Sequence, residues 1–584
     1  MSIEINYRKI RPLDFVSLAQ KYESTGEDKQ YEYNPFHLSQ VQSFNPLYSE
    51  FFVLNETNHN RVGLNHKYYM NGDSIIVNKD DDDAAKNRSY HVKSSPLLDP
   101  IHYLVGKYDI QSPLLRKLPG LDLDNKEYFS KIANKNNASY TDGFFCYLSS
   151  QLLNGKNMLN AVDFYGSYLA VQQVFKATVT DDVDYLYQSD FFRDRIGKDF
   201  SISCGSQGAG NKFDDFTGIG SRTNKKRLVF CEDDLFLEDL EVDVLDFSAK
   251  SDPEPVVNED IVCEYDNPDD AASSSDSSSD NDDLNYSSSD NADDESDSDN
   301  KSSDDREDGS GSESGSESES GSESEDEDEA YVYIKDFPVN LIFLEKCDGT
   351  LDQLFMDQEI DLDQGAACLM QVIMSLIAFQ KAFHFTHNDL HTNNIMYVNT
   401  DIEFLYYKFD NRFYRVPTYG RIFKIIDFGR AIYRFRDRVY CSDSFAPKGD
   451  AHSQYNTEPY FNEKRPRIEP NLSFDLCRLG TSIYDFIIQD EEDERDEFQE
   501  TIYRWCQDDN GKNVMYRRDG EERYPGFKLY KMIAKNVHAH CPQAQLQYPM
   551  FNQFLMEPAE AAKLDEQEVR QNGLNIDLID KEYL

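Results

Sequence analysis

Two short polar motifs carry the residues of this sequence that are best suited to chemistry. Residues 387–394 read HNDLHTNN, which puts Asp389 and Asn394 five positions apart beside two histidines. Further on, the apolar run FKII leads into the tripeptide DFG at 427–429. Either motif alone is compatible with a hydrogen-bonded turn, or with a strand that ends at a glycine. Their occurrence together, in this order and after a strongly apolar segment, indicates a functional site.

These motifs resemble the signatures of the protein kinase fold. HNDLHTNN follows the catalytic-loop pattern H-R-D-L-x-x-x-N, and DFG follows the magnesium-binding motif. The matching loop positions are His387, Asp389, Leu390 and Asn394. The resemblance implies that Asp389 accepts the proton of the attacking hydroxyl. It also implies that Asn394 and Asp427 are oxygen ligands of Mg²⁺, which bridges the phosphates of ATP.

Four further residues take supporting roles in this resemblance. Phe428 and His387 are expected to pack between the two lobes, and Gly429 is expected to let the backbone turn after Asp427. Asp475, in the run SFDLCRLG, holds the position of a buried Asp that supports the backbone of the catalytic loop. The resemblance therefore extends from the two motifs to a later helix.

The run LIFLEKCDGTLDQLF looks like the strand and hinge that lie beside the adenine ring in this fold. Leu344 is then expected to be the gatekeeper. The backbone of Glu345 and Cys347 is expected to hydrogen-bond the ring. The cofactors that the resemblance implies are ATP and Mg²⁺.

The lysine expected to hold the α- and β-phosphates has four candidates. Lys93, at the end of the apolar run YHVK, ranks first because it precedes a helical segment at 140–153. The alternatives are Lys107, Lys176 and Lys335. Any of the four is also typical of a solvated strand lysine. No helical Glu is evident as a partner, and Asp142 is the only acidic residue in TDGFFCYLSSQLL.

No G-x-G-x-x-G motif precedes Lys93. The glycine-rich runs GSQGAG (205–210) and FTGIGSR (216–222) follow it, so they are expected to be loops that lead into an acidic insert. A turn near Gly63 or Gly72 is the remaining candidate for the loop that covers the phosphates.

Two positions of the loop depart from the kinase pattern. The usual Arg, which in most kinases binds a phosphorylated activation loop, is Asn388. We therefore predict that phosphorylation does not switch this protein on. Joint substitution of four residues is then expected to leave its activity intact: Ser442, Ser444, Tyr455 and Thr457. The usual Lys is His391, which either donates a hydrogen bond to the γ-phosphate or caps the loop.

The surrounding sequence predicts the elements that position these motifs. Strands are predicted at DSIIVN, YHVK, YLAVQQVFKATV, FLYYKF and RFYRV, and AYVYIKDFPVNLIFLE predicts two strands with a turn at Pro338. Helical patterns occur in GFFCYLSSQLL, in 362–382 and in FDLCRLGTSIYDFI, whereas 433–470 shows little periodicity. The predicted class is α+β, a two-lobed protein-kinase-like fold with a β-rich N-lobe and a helical C-lobe.

Domain boundaries follow from the composition and from the resemblance. The expected segments are an N-terminal extension of unknown role (1–60), the N-lobe (61–250), a disordered acidic insert (251–330), the last N-lobe strand and hinge (331–350), the C-lobe (351–556) and a C-terminal tail (557–584). The insert holds 31 Asp and Glu against 2 Lys and Arg, which is −29 of the chain's net charge of −50. Such a segment cannot offset its ordering entropy.

The composition also argues against several classes of function. A net negative charge argues against nucleic acid as the main partner. The ten cysteines form no C-x-x-C pair, which favours reduced thiols inside a cell over a disulfide scaffold or a zinc site. MSIEINYRKIRPLDF is not a signal peptide, so we do not expect secretion. The most apolar stretch, 366–379, is shorter than the about 20 residues that span a membrane.

A closer resemblance is carried by runs spread from about residue 89 to 545: SSPLLDPIHYLVGKYD, DFYGSYLAVQQVF, EKCDGTLDQLF, HNDLHTNNIMYV, KIIDFGRAI, FDLCRLG and ERYPGFKLYKMIAKNVHAHCP. They look like the serine/threonine protein kinases of giant nucleocytoplasmic large DNA viruses, of the mimivirus type. The resemblance implies a viral enzyme with viral or host protein substrates. It also implies a location in the host cytoplasm, at the viral factory, or in the virion.

Two other functions stay open. The form H-x-D-L-H-x-x-N is also similar to the loops of aminoglycoside- and choline-kinase-type phosphotransferases, which act on small molecules. The third candidate is a pseudokinase scaffold whose acidic tract recruits basic partners. The absent glycine-rich loop favours the scaffold, and the retained Asp389, Asn394 and Asp427 oppose it. The tract itself is either a solvated spacer or a region phosphorylated on its serines.

Overall fold

Helices and mostly antiparallel sheets make up the part of the chain that the computed structural model describes, consistent with the α+β class. All of the described residues belong to one unit. They are 3–10, 13–25, 33–71, 74–77, 88–123, 127–204, 330–488, 494–518, 520–564 and 571–582. The acidic insert predicted at 251–330 lies outside them, except for Ala330, which begins a strand.

Seventeen strands are formed by the described residues. They are β1 (Tyr7–Lys9), β2 (Leu38–Gln42), β3 (Val62–Leu64), β4 (Tyr68–Asn71), β5 (Ser74–Val77), β6 (Tyr90–Pro96), β7 (Phe164–Thr178), β8 (Phe200–Cys204), β9 (Ala330–Glu345), β10 (Gly349–Thr350), β11 (Ile395–Asn399), β12 (Phe404–Phe409), β13 (Arg412–Pro417), β14 (Arg421–Ile425), β15 (Ile432–Phe435), β16 (Arg438–Cys441) and β17 (Gly573–Asn575).

Fourteen α-helices and several short 3₁₀ turns accompany these strands in the described ranges. The helices are α1 (Phe15–Thr25), α2 (Pro100–Leu104), α3 (Ser130–Ala133), α4 (Ala138–Lys156), α5 (Val183–Gln188), α6 (Asp190–Arg195), α7 (Leu351–Met356), α8 (Leu362–Phe383), α9 (Phe474–Ile487), α10 (Glu497–Trp505), α11 (Lys528–Asn536), α12 (Pro542–Gln545), α13 (Pro549–Asn552) and α14 (Pro558–Ala561). A 3₁₀ turn at Thr392–Asn394 ends the HNDLHTNN motif.

The largest sheet is built around β7 and β9, which pair antiparallel along nearly their whole length. On its other edge, β9 pairs with β8 over residues 330–334 and with β6 over 339–345. Strand β2 adds to the free edge of β7. The residues between β8 and β9 lie outside the described part, but their two ends meet in the ladder, with Cys204 opposite Ala330.

The turn predicted at Pro338 is wrong, because β9 runs without interruption through this residue. The carbonyl of Pro338 accepts a hydrogen bond from Leu97 N at 3.0 Å. A strand residue points its N–H and C=O to the same side, so the missing N–H of Pro338 faces the edge where β8 has ended and β6 begins. The carbonyl of Leu97, which that N–H would reach, accepts from Asn137 Nδ2 at 2.9 Å instead, so the proline is tolerated inside a long strand.

Helix α4 packs against this sheet and confirms the helix predicted at 140–153. It starts after Asn137, whose side chain accepts a hydrogen bond from Ser139 N, and it ends at Asn157 in the left-handed conformation with φ 61°. Both of its faces are buried. Phe144 stacks on Phe51 at a ring distance of 5.2 Å, and Phe145 stacks on Phe385 at 4.5 Å.

Helix α8 confirms the apolar helix predicted at 362–382 and lies in the core. Asp361 caps its start by accepting from Gln364 N at 2.8 Å, and His384 ends it with φ 49°. Among the described residues it is the one helix with the length and composition of a membrane span, and 89% of its most apolar window is buried inside the protein. Burial of this kind is what the core helix of a folded domain shows.

Short sheets and helices follow α8 along the chain. Strands β11 and β14 pair antiparallel and are extended by β10, and β12 pairs with β13. The helix predicted at FDLCRLGTSIYDFI is confirmed as α9. The stretch 433–470, which shows little periodicity in the sequence, begins within the hairpin of β15 and β16.

Both ends of the chain join these sheets. Strand β1 pairs with β3, and β17 pairs with β12 in the parallel sense. The segments expected to be an N-terminal extension and a C-terminal tail therefore contribute strands to the described unit.

Candidate active site

A cleft of about 290 Å³ lies between the β7–β9 sheet and the β11–β14 pair. Much of its lining is apolar, and three of its charged members, Lys93, Asp142 and Asp427, converge at one side. The lining residues are His91, Lys93, Asp142, Cys146, Val162, Leu344, Glu345, Lys346, Cys347, Met396, Ile426, Asp427 and Phe428. An apolar pocket with a few convergent charged groups is the usual form of a small-molecule site.

Lys93 joins two carboxylates at the charged side of the cleft. Its Nζ lies 2.7 Å from Asp142 Oδ2 and 2.8 Å from Asp427 Oδ1. The side chains differ in exposure: Asp142 is 1% exposed, Lys93 27% and Asp427 47%. Asp142 is thus an internal anchor, whereas Asp427 presents its carboxylate to the cleft.

Asp142 also fixes the backbone of the DFG tripeptide. Its Oδ1 accepts a hydrogen bond from Phe428 N at 2.9 Å, while its Oδ2 accepts from Lys93. Helix α4, strand β6 and the segment after β14 therefore meet at one buried carboxylate. In the sequence, Asp142 stood out only as the one acidic residue of TDGFFCYLSSQLL. No helical Glu takes its place among the described residues around Lys93.

The protonation of this cluster follows from burial and from its charges. Burial opposes the charged form of Lys93, but Asp142 and Asp427 outweigh it and raise the pKa of Lys93. Burial likewise opposes ionisation of Asp427, yet the Lys93 ammonium prevails and lowers the pKa of Asp427 to about 2. For Asp142 burial dominates, and its pKa is raised.

The alternative lysines lie away from this cleft lining. Lys107 and Lys335 are exposed. Lys176 lies over the ring of Tyr331, with Nζ 4.0 Å from the ring centroid. Of the four candidates, Lys93 is the one whose ammonium meets Asp427.

Asn394 and Asp427 come together because β11 and β14 are antiparallel neighbours. Ile395 is opposite Ile425, and Ile426 N donates to the carbonyl of Asn394 at 3.0 Å. Asp427 is the next residue, and its φ of 62° turns the chain out of the strand direction. The expectation that Gly429 makes this turn is wrong, since the left-handed residue is Asp427 itself.

The amide of Asn394 is oriented by two neighbours in its own loop. Its Nδ2 donates to the carbonyl of Asp389 at 2.9 Å and lies 3.1 Å from His391 Nε2. Both amide hydrogens point back into the loop, which leaves Oδ1 as the outward acceptor. Asn394 Oδ1 and the Asp427 carboxylate are hard oxygen donors of the type that Mg²⁺ prefers.

A two-donor set is what a magnesium site needs when phosphate oxygens and water complete it. Among the described residues, no group of three or more His, Cys, Asp or Glu side chains is arranged to hold a metal ion. The chemistry of Asn394 and Asp427 therefore fits Mg²⁺ bound together with a phosphate, and does not fit an all-protein cage.

Asp389 lies in a polar pocket formed by residues far away in sequence. Its Oδ1 accepts a hydrogen bond from Tyr530 Oη at 2.7 Å. Arg430 Nη1 lies 3.6 Å from Oδ2, and Arg478 Nε lies 4.0 Å from Oδ1. Burial opposes the carboxylate form, but these two guanidinium groups outweigh it, so the pKa of Asp389 is lowered. The sequence-based predictions did not include Tyr530, Arg430 or Arg478.

His391 is neutral at ordinary pH. Burial, together with the nearby Arg478, lowers the pKa of His391 to about 4. Its Nε2 accepts from Asn394, so its proton is on Nδ1. It begins the 3₁₀ turn without a capping hydrogen bond from its side chain, so the expected cap is not formed. In the structure, His391 orients the side-chain amide of Asn394.

Asp475 holds the backbone of the loop 387–394, as expected. This fully buried carboxylate on α9 accepts from His387 N at 2.9 Å and from Asn388 N at 2.9 Å. The ring of His387 donates from Nε2 to the carbonyl of Ile426 and accepts at Nδ1 from Asp389 N. His387 also packs on Phe428 at a ring distance of 5.7 Å, which agrees with their predicted packing.

Asn388 occupies the position where the kinase pattern has Arg, and it is fully buried. Its φ of 64° is left-handed, a conformation that Asn tolerates better than most residues. Its Nδ2 donates to the carbonyl of Arg430 at 3.0 Å, and its Oδ1 accepts from Tyr455 Oη at 2.7 Å. Neutral hydrogen bonds thus connect the loop to the segment after DFG.

This finding corrects the proposed four-residue substitution. Tyr455 and Ser442 are buried, and the hydroxyl of Tyr455 is bonded to Asn388. Substituting them would test packing as well as phosphorylation. Ser444 and Thr457 are more accessible and remain suitable positions.

The residues expected to form the hinge, Leu344 to Cys347, also line the cleft. Leu344 is buried, and Glu345 is tied down twice: its N–H donates to the carbonyl of Asp163 at 3.0 Å and its Oε2 accepts from Lys424 Nζ at 2.9 Å. Within the described part of the chain, the backbone N–H and carbonyl of Cys347 form no hydrogen bond. They are therefore available to a ligand in the cleft.

The glycines considered for a phosphate-covering loop gain no support from the fold. Gly63 itself lies inside β3 and is paired with Arg8, and the nearby turn is the 3₁₀ turn His59–Arg61 that precedes this strand. Gly72 and the runs at 205–210 and 216–222 lie outside the described residues.

No family model matches this sequence, and a search of curated proteins finds no match either. The geometry of the cleft and of the loop beside it therefore carries the functional argument.

Proposed function

We propose that this chain is a Mg²⁺- and ATP-dependent serine/threonine protein kinase with a two-lobed kinase-like fold. The observation that carries the proposal is Lys93 Nζ, held between Asp142 and Asp427 at the head of an apolar cleft. A lysine on a sheet strand, a helical carboxylate and the DFG Asp form the same trio in kinases. The β7–β9 sheet with α4 would be the N-lobe, and the part from α7 onward the C-lobe.

Each residue of the site has a role in this proposal. Lys93 neutralises the α- and β-phosphates, while Asn394 and Asp427 hold the metal. Bound Mg²⁺ would supply charge neutralisation at the phosphates. Asp389 orients the acceptor hydroxyl and takes its proton as the oxygen attacks the γ-phosphorus. The bond from that phosphorus to the bridging oxygen breaks, and ADP leaves.

The adenine ring would occupy the apolar part of the cleft. Leu344 borders it as the gatekeeper, and the backbone groups of Cys347 face it as hydrogen-bonding partners. The Glu345–Lys424 pair keeps the hinge strand in place behind the ring. Apolar walls with a few backbone groups give affinity and orientation together.

We also propose the wider setting that the sequence runs imply: a giant-virus protein with viral or host protein substrates, located in the host cytoplasm or in the virion, and not secreted. The acidic tract is proposed to attract basic partners. Nucleic acid and membrane are not among the proposed partners.

Phosphate transfer by the purified full-length chain tests the proposal. With Mg²⁺ and radiolabelled ATP, we expect labelling of casein-type substrates on serine and threonine. Asp389→Ala and Asp427→Ala should each lower the rate at least about 100-fold. Asp401→Ala, at an exposed loop position, is the matched control and should behave like the wild type.

The competing functions give different results in the same assay. A small-molecule phosphotransferase would transfer phosphate to an aminoglycoside or to choline and leave proteins unlabelled. A pseudokinase would show no ATP turnover above that of Asp427→Ala. Either outcome would contradict the proposal.

A further inference from the structure

Three side chains from three elements surround the carboxylate of Asp389. Tyr530 lies on α11, Arg478 lies on α9, and Arg430 directly follows the DFG tripeptide. The two carboxylate oxygens of Asp389 have different neighbours. Oδ1 accepts the Tyr530 hydroxyl at 2.7 Å, whereas Arg430 Nη1 is 3.6 Å from Oδ2. The latter distance is too long for a hydrogen bond, so Oδ2 keeps its accepting capacity.

The direction of the hydrogen bonds at Tyr530 is fixed by Arg478. Arg478 Nε lies 3.0 Å from Tyr530 Oη, and a guanidinium nitrogen can only donate. The phenol oxygen therefore accepts from Arg478, and its single proton is left for Asp389. The result is a two-step relay from Arg478 through Tyr530 to Asp389 Oδ1.

The ring of Tyr530 is held as firmly as its hydroxyl. It stacks on Phe527 at a ring distance of 5.3 Å and contacts Phe474 at 6.2 Å. The guanidinium groups of Arg478 and Arg430 lie 5.2 and 5.6 Å from its centroid. Packing on several sides restricts the ring to one rotamer, which pre-organises the hydroxyl.

The loop 387–394 itself contains no cationic side chain that could orient Asp389. Residues 387–394 contain no Lys or Arg. Of its two histidines, His391 is neutral and turned toward Asn394, and the Nε2 of His387 is bonded to the carbonyl of Ile426. Positive charge and orientation at Asp389 must therefore come from outside the loop. Arg478 and Arg430 supply the charge among the described residues that contact Asp389.

We propose that Tyr530 and Arg478 are positioning residues that hold Oδ1 of Asp389, so that Oδ2 is presented to the acceptor hydroxyl. This inference rests on the proposed function, because it assigns Asp389 the role of base. Arg430 also pairs with Asp450 at 2.6 Å, which keeps its guanidinium beside Oδ2 without blocking it.

The relay predicts a split between kcat and KM that a merely structural role does not. Tyr530 and Arg478 hold Oδ1 of Asp389, whereas the nucleotide is proposed to bind in the cleft beside Lys93. Loss of the relay should therefore lower kcat, because Oδ2 is no longer held toward the acceptor hydroxyl, while the KM for ATP stays unchanged.

Tyr530→Phe is the first variant, because it keeps the ring and removes only the hydroxyl. We expect kcat to fall about tenfold, with the KM for ATP unchanged. Tyr524→Phe is the matched control, since Tyr524 is a half-buried tyrosine that lies shortly before α11 and has the Lys528 ammonium 5.8 Å from its ring centroid. Its kinetics should be those of the wild type.

A double-substitution cycle provides the second measurement. Arg478→Met should reproduce the direction of the Tyr530→Phe effect. The double variant should be no slower than Arg478→Met alone, because both residues act through one relay. The melting temperature of each variant is measured with and without Mg²⁺-ATP. A fall in kcat is assigned to the relay only when the variant folds and binds the nucleotide.

Two results would overturn the inference alone: a wild-type kcat in Tyr530→Phe, or effects of the two substitutions that add. Failure of the proposed function looks different. In that case the wild type itself lacks Asp389-dependent phosphate transfer, and both proposals are overturned together.

Discussion

The loop 387–394 and the Lys93–Asp142–Asp427 cluster lie side by side, but they are held by different kinds of contact. In the loop, the buried N–H groups of His387 and Asn388 donate to the Asp475 carboxylate, and the Asn388 side chain donates to the carbonyl of Arg430. Ion pairs fix the cluster, and one of its members, Asp427, is 47% exposed. The loop should therefore be rigid across a wide pH range, whereas the cluster should respond to the charges of its members.

This difference indicates how the two parts can be disturbed separately. Loss of an acceptor under the loop leaves buried N–H groups without partners, which costs free energy of unfolding at every pH. Loss of a charge in the cluster leaves another charge buried, and that group can escape the cost by changing its protonation.

The largest effect on stability is expected from Asp475→Ala. The substitution leaves the buried N–H groups of His387 and Asn388 unpaired. At about 1–3 kcal/mol for each of the two unsatisfied groups, the free energy of unfolding should fall by about 2–6 kcal/mol. Chemical denaturation followed by fluorescence or circular dichroism measures it.

Asp475→Asn is the control for this prediction. Oδ1 of Asp475 is within 3.1 Å of His387 N and within 2.9 Å of Asn388 N, so one amide oxygen can serve both groups. The Asn variant should lose less than half as much stability as the Ala variant. Equal losses in the two variants would show that hydrogen bonding to the loop is not the cause.

A smaller effect, and one that depends on pH, is expected from Lys93→Met. Asp142 would remain buried without its cation, and its pKa, already raised by burial, would rise further. A carboxyl with a raised pKa in the folded state lowers stability as the pH rises from its unfolded pKa through its folded pKa. The variant should be less stable than the wild type by about 2 kcal/mol at pH 8, below the value for fully buried pairs because Lys93 is partly exposed. The loss should be smaller at pH 4, where protonation relieves Asp142, although Asp427, whose pKa Lys93 lowers to about 2, has still lost its partner.

Lys335→Met is the matched control, since Lys335 is exposed on β9 of the same sheet. Its stability relative to the wild type should not vary between pH 4 and pH 8. If Lys93→Met shows the same loss at both pH values, the ion pairs do not stabilise the cluster as argued.

The same contrast explains what the sequence could predict. The loop and the DFG tripeptide are local patterns, so their residue types and spacing are visible in a single sequence. The helices α4, α8 and α9 were predictable for the same reason, because their apolar residues recur at helical spacing. The Lys93–Asp427 contact joins residues 334 positions apart, and only the packing of β6 and α4 against the segment after β14 brings them together.

Other features had no local signal at all. Tyr530 lies 141 positions from Asp389, in a run with nothing to connect it to a carboxylate. A turn was predicted at Pro338 because proline disrupts paired strands, but the side chain of Asn137 donates to the Leu97 carbonyl that the missing N–H leaves without a partner. Arg430 could have been noticed, since it directly follows the DFG tripeptide.

The smallest effect is expected where the loop meets the segment after DFG. Asn388 joins this segment to the loop through Tyr455 and the carbonyl of Arg430, with neutral hydrogen bonds that need no phosphate. An Arg at this position would bring a buried charge that a phosphate could satisfy, and Asn388 brings none. The joint variant Ser444→Ala/Thr457→Ala should therefore keep the wild-type rate of phosphate transfer. Thr457 bonds the exposed Glu469 through its hydroxyl, so the loss of that hydroxyl should cost little stability. A fall of more than about tenfold, restored by acidic substitutions at the same two positions, would show that this segment is switched by phosphorylation after all.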